Sequence, residues 1–203
     1  MNVEWMVIRG SGIVAFALLS ASSIWGLLVS TKVLGRAVKA KPVTWFHESL
    51  GLGALIATGV HLVALTMDDF IEFGWADVLI PGVASWNSMA VSFGVMAFYG
   101  LAIVALSFYV KGIIGQKAWR TIHFLAFGTF LAALVHGIMA GTDSGHPAVV
   151  GLYFGSALLI VALVAIRVIQ QRAEPSRPPG ATGGDTPEYR TNPPGRVRVG
   201  ANN

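Results

Sequence analysis

Cysteine is absent from the 203 residues, which excludes a disulfide framework, a thiolate metal site and any cofactor attached through thioether bonds. Charge is scarce too: Asp, Glu, Lys and Arg make up 12% of the chain against 54% apolar residues, with a mean hydropathy of +0.66. That balance belongs to an integral membrane protein rather than a soluble domain. The net charge of +4 does not point to nucleic acid, because the cations are spread over loops and tail and form no basic helix face. A dinucleotide-binding fingerprint is missing as well. The nearest approach, GATGGD at 180–185, has no strand before it and no helix after it.

What is present is long apolar runs, each near the ~20 residues a helix needs to cross a bilayer. Five are read, at 11–31, 45–66, 88–110, 120–141 and 148–169. The expected fold is therefore all-α, a polytopic membrane bundle of about five transmembrane helices. Arg9 and the small residues Ser20 to Ser23 give the first run some likeness to a signal peptide. Its apolar character continues through Ile24, Trp25, Leu27 and Leu28, too far for an ordinary h-region, so a retained helix is expected. The chain divides into a short N-terminal segment (1–10), the membrane domain (11–169) and a tail (170–203). Six of the nine prolines and five arginines fall in that tail, with Tyr189 its only aromatic, a composition expected to stay disordered.

Loop charges set the expected orientation. Lys32, Arg36, Lys39 and Lys41 lie between the first two runs, and Lys111, Lys117 and Arg120 between the third and fourth. By the positive-inside rule these connections are cytoplasmic. The second connection carries Asp68, Asp69, Glu72 and Asp77 without a cation, and the fourth, GTDSGHP, has only Asp143. A bacterial inner-membrane protein with its N-terminus outside and its C-terminus in the cytoplasm follows.

Four of the five histidines lie in these runs as two pairs: His47 with His61, and His123 with His136. An ionisable side chain within a membrane helix is costly enough to suggest function, although a single histidine is often explained by a hydrogen bond to a neighbouring helix. Two pairs at nearly equal spacing fit that simpler account poorly. A neutral imidazole offers a metal one nitrogen while its other nitrogen is oriented by an acceptor. Haem iron takes such ligands axially, and a bundle can hold the flat macrocycle between two facing helices. Intervals of 14 and 13 residues correspond to roughly 21 and 20 Å of helix, room for two stacked haems. The second and fourth helices both start in basic loops, so they run the same way. That pairs His47 with His123 near the inside and His61 with His136 near the outside.

One detail resists an ideal helix. Fourteen residues return to within about 40° of the same face, whereas thirteen leave side chains roughly 140° apart. Either the fourth helix is irregular, with Gly128 as a candidate site, or its two imidazoles approach from different sides. Gly51, Gly53, Gly59, Gly128 and Gly137 serve close helix packing and room for a porphyrin face equally well. Phe124, Phe127 and Phe130 are read as packing before haem lining, and Trp45, Trp86 and Trp119 as interfacial anchors. Arg120, one turn before His123, has two readings of equal weight: a partner for a propionate of the inner haem, and a topological cation. Lys41 shares them. Glu48 is read as a hydrated carboxylate before a ligand-orienting group, and His146 is left out of the haem set.

These residues carry a resemblance. GLLVSTKVLGR, HESLGLGALIATGVHLVAL and KAWRTIHFLAFGTFLAALVHGIMAGTDSG look like segments of bacterial ferric reductase-like transmembrane domain proteins, over roughly residues 8–172. That superfamily includes the membrane domains of ferric reductases and NADPH oxidases. The resemblance implies two haem b groups, each ligated by two histidines, and electron transfer across the membrane. Its ligand positions match His47, His61, His123 and His136. The flavin and nicotinamide module of full-length reductases has no counterpart in these residues, so the expected donor is a separate cytoplasmic flavoprotein reductase or a quinol. The expected acceptor lies outside and is ferric iron, dioxygen or a periplasmic redox partner. The alternative is a non-redox membrane protein, a haem-binding scaffold or sensor, or a proton-conducting bundle. Glu48 is the one carboxylate available for such a proton path, and it lies at the edge.

Overall fold

In hydrocarbon each backbone N–H and C=O must find its partner within the protein, and a single chain segment does so as a helix. The computed structural model describes residues 3–31, 33, 40–69 and 71–173. Among them are only helices and connections: α1 (Val3–Ser30), α2 (Ala40–Thr66), α3 (Trp75–Leu79), α4 (Ser88–Ser107), α5 (Lys111–His123), α6 (Leu125–Ala140) and α7 (Pro147–Ala173). By length and composition α1, α2, α4 and α7 can each cross a membrane. The pair α5–α6, bent by 43°, makes a fifth span when counted as one. The tail beyond 173 and the cations Lys32, Arg36 and Lys39 lie outside the described residues.

Three boundaries differ from the sequence expectation. The first helix starts at Val3, so Arg9 is a helical residue and not part of a flanking segment. The last continues to Ala173. The fourth run starts at Lys111, but Gly115 at φ +80° interrupts the helix, a conformation glycine adopts without a Cβ penalty. The α5 segment carries Lys111, Lys117 and Arg120 among apolar residues, a mixture suited to the membrane surface rather than its interior.

Two antiparallel pairs organise the bundle. α1 packs chiefly on α2, and α4 on α6. Close approach is set by small residues: Gly51 faces Ser22 across the first pair, and Gly100 receives Thr129 across the second. α7 closes the bundle against α1. Phe16, Phe130 and Tyr153 meet where α1, α6 and α7 join, with Phe16 ring centres 5.6 Å from Phe130 and 4.8 Å from Tyr153. In lipid the gain from these contacts comes from packing more than from excluding water. At the C-terminal end of α1, Arg167 and Gln170 of α7 donate hydrogen bonds of 3.0 Å to the carbonyls of Ser30 and Thr31, satisfying acceptors that the helix leaves open.

The connection from α2 to α4 is more than a polar loop. Phe73, Val78 and Ala84 are buried with Leu62 of α2, and the short α3 lies among them. Hydrogen bonds from Tyr99 to the Leu79 carbonyl and from the Gly82 amide to Ser92 tie the connection to α4. It covers the end of the bundle next to the C-terminus of α2. At the same end, Arg9 of α1 is paired with Asp143 in the α6–α7 connection.

Candidate functional site

α2 and α6 are held apart, each packed on a different neighbour, and their histidines meet across the space between. His47 faces His123 with ring centres 5.9 Å apart and ring planes at 68°. His61 faces His136 at 6.4 Å and 76°. The structure thus brings the four residues together as the two pairs that parallel α2 and α6 require, named inner and outer after the expected orientation. All four are half-buried.

Each ring is aimed by backbone. Nδ1 of His47 lies 2.9 Å from the Ser22 carbonyl, Nδ1 of His61 2.9 Å from the Ile8 carbonyl, and Nδ1 of His136 2.8 Å from the Ala90 carbonyl. A carbonyl can only accept, so these three rings carry their proton on Nδ1 and keep a lone pair on Nε2. Ser22 adds its hydroxyl, 3.1 Å from Nδ1 of His47. His123 is held differently, stacked on Trp119 with ring centres 5.1 Å apart and planes at 29°. Lys111 sits over the other ring system of this stack, its Nζ 4.2 Å from the Trp119 centroid. Trp119 Nε1 is buried and has no hydrogen-bond partner among the described residues.

Glycines make room for three of the rings. A Cβ at Gly12 would stand 3.2 Å from His61, one at Gly26 3.1 Å from His47, and one at Gly94 2.7 Å from His136. Sequence reasoning missed all three, having looked for glycines beside the histidines in sequence. The signal was available: Gly12 and Gly26 are 14 residues apart on α1, the interval of His47 and His61 on the antiparallel α2. Of the glycines singled out beforehand, Gly59 and Gly128 face open space, Gly51 and Gly53 touch α1, and Gly137 sits under the Tyr153 hydroxyl.

The fourth span is irregular, as the thirteen-residue interval requires: α5 carries a kink at Gly115 and meets α6 at Phe124 with a 43° bend, while Gly128 lies within a continuous helix. His123 and His136 both face histidines of α2. Phe124 and Phe127 are exposed on the outside of the bundle, whereas Phe130 is buried against Phe16. Arg120 is exposed, and Glu48 lies near the Tyr109 hydroxyl. His146 accepts the Ala148 amide at 3.3 Å, a local cap for α7. Trp45 and Trp86 are exposed, as interfacial anchors are, but Trp86 also packs on Phe73.

Around the His61–His136 pair lies an open cavity of about 210 Å³, bounded by α1, α2, α4, α6 and the α2–α4 and α6–α7 connections. Among the described residues no three His, Cys, Asp or Glu side chains converge as a bare metal ion requires. Two opposed imidazoles with free Nε2 instead suit a metal whose remaining positions are filled by a macrocycle. A metal held between two imidazoles at about 2 Å each sets their ring centres roughly 6 Å apart, the spacing of both pairs. The donors and their spacing therefore fit a haem at each pair, and the cavity lies at the His61–His136 pair. No protein family, curated protein or solved structure gives a significant match to the chain.

Proposed function

We propose that this protein is a membrane electron conduit of the ferric reductase-like kind, with two b-type haems joining a cytoplasmic donor to an external acceptor. When bound, the haems supply reversible one-electron chemistry at the two ends of the bundle. His47 and His123 hold the inner group, and His61 and His136 the outer one. The observation that carries the reading is the opposition of these rings in two layers, with Nδ1 of three of them tied to backbone carbonyls. Such ties raise the basicity of Nε2 and lower the cost of ordering the ring on ligation. The apolar shell of Phe16, Leu19, Val95 and Leu101 restricts water around the outer group.

The inside end is the one bearing Lys111, Lys117 and Arg120, which places the N-terminus outside and the C-terminus in the cytoplasm of a bacterial inner membrane. The donor is a separate flavoprotein or a membrane quinol, and the acceptor is ferric iron, dioxygen or a periplasmic redox protein. Purified protein should show a dithionite-reducible b-type spectrum with two haems per chain. Absence of that spectrum ends the reading, and a stoichiometry of one removes the two-layer path. Native membranes supplied with NAD(P)H or a quinol, each with and without cytosol, identify the donor; reduction by none of them ends the proposed direction of flow.

A further inference from the structure

Lys111 reads from the sequence as a topological cation, yet the structure folds it back over an aromatic side chain beside an inner ligand. Its Nζ lies 4.2 Å from the Trp119 centroid and 6.0 Å from that of Phe108. Trp119 in turn stacks on His123, with ring centres 5.1 Å apart. Eight residues separate Lys111 from Trp119, which on an uninterrupted helix is about 12 Å along the axis and about 80° around it. The helix is interrupted at Gly115, φ +80° and ψ 159°, where an added Cβ would meet nothing within 4 Å. Space does not call for glycine there; the positive-φ backbone does. Among the described residues no carboxylate lies within ion-pair distance of Lys111, so its charge is not matched as that of Arg9 is by Asp143. Trp119 Nε1 is buried and has no hydrogen-bond partner among the described residues, so stacking rather than hydrogen bonding fixes the ring.

We propose that Lys111, brought over Trp119 by the Gly115 kink, sets the redox level of the inner site, favouring the reduced form of the group held by His47 and His123. The proposal rests on the haem reading and adds an electrostatic control to one of its two layers. Oxidation of a haem iron adds one positive charge, and a fixed cation nearby opposes that addition. The opposition is stronger away from bulk water, and Lys111, Trp119 and His123 are all part-buried. An indole face attracts an ammonium and keeps it in one place. Trp119 is thus the positioning residue, locating the charge beside the ligand ring. Glu48, next to His47, acts in the opposite sense and stays in place in the test. The outer pair has no such control, since the charge of Arg9 is matched by Asp143. A raised inner potential eases reduction by the cytoplasmic donor.

The test is a spectroelectrochemical titration of the full haem-loaded chain in nanodiscs, in a His61→Ala background that leaves the inner pair as the complete one. Lys111→Gln should lower the reduced-to-oxidised ratio of the inner haem at a given potential by about tenfold, a shift of ~59 mV for one electron. Lys111→Arg keeps the charge and should keep the parent midpoint. Trp119→Leu should give the same shift as Lys111→Gln, and the double variant no more than either alone, because the charge acts from the place the indole gives it. A merely structural clamp would speed haem release without moving the potential. An unshifted midpoint in Lys111→Gln therefore overturns the proposal and leaves the haem reading intact. Additive shifts in the double variant overturn it too, since they separate the charge from the indole. If the background loses both haems, the two midpoints of the chain with all four histidines are followed instead, and an equal shift of both, or of neither, in Lys111→Gln overturns the proposal. No reducible haem spectrum in the wild-type chain overturns both readings.

Discussion

The two histidine pairs share ligands and ring spacing but differ in how they are held. In the outer pair both rings donate Nδ1–H to helix carbonyls, both face a glycine, and the α2–α4 connection covers the end. In the inner pair only His47 has these supports. His123 ends a helix, stands beside a bend, and leans on Trp119. The outer site is preorganised by backbone on two sides, the inner by backbone on one and by an indole on the other. Backbone positions resist change, whereas a stacked side chain can be removed by one substitution.

Substitutions that separate the two layers test this contrast. The largest effect is expected from His61→Ala or His136→Ala, which should halve the haem content by pyridine haemochrome assay and leave the inner spectrum in place. Loss of both haems together would show that the layers are not independent. Next comes Gly94→Ala. Its Cβ would lie 2.7 Å from a ring fixed by the Ala90 carbonyl, so overpacking of ~1–3 kcal/mol should appear as depleted outer haem at constant protein. Trp119→Leu should act on the inner layer alone. Loss of a stacking contact of ~0.5–1.5 kcal/mol should speed haem release from the inner site, read by transfer to apomyoglobin, without altering the outer rate. The smallest effect belongs to Gly128→Ala, where nothing lies within 4 Å. It should leave both haems bound and raise thermal stability by up to ~1 kcal/mol, since glycine disfavours helix. Depletion of the outer haem in that variant would return the irregularity to Gly128.

Four spans, with the bent α5–α6 pair as a fifth when counted as one, and the histidine partners were legible because they rest on periodicity and direction. Apolar length fixes a span, and basic connections fix which helices run together. The bend at Phe124 was not legible, although the thirteen-residue interval demanded some irregularity. Gly115, eight residues before His123, marks the kink in α5, but no proline or glycine stands at Phe124 itself. Gly12, Gly26 and Gly94 were invisible for another reason: a glycine that clears a ring on a different helix has no local pattern. The α3 connection hid behind its four acids, while Ile71, Phe73 and Val78 between them carry the packing. Arg9 was read as a flank because the apolar run was counted from 11, although the helix begins a full two turns earlier.

The register of α1 against α2 has a consequence for how these sites are specified. The distance between the two layers is written twice, once as histidines on α2 and once as clearances on α1, and neither copy works without the other. Insertion of one residue between Gly12 and Gly26 would turn one clearance about 100° out of line with its ring, although no ligand had changed. The helix without ligands thus acts as a ruler, and a search of unfamiliar membrane sequences gains specificity by requiring both scales to agree.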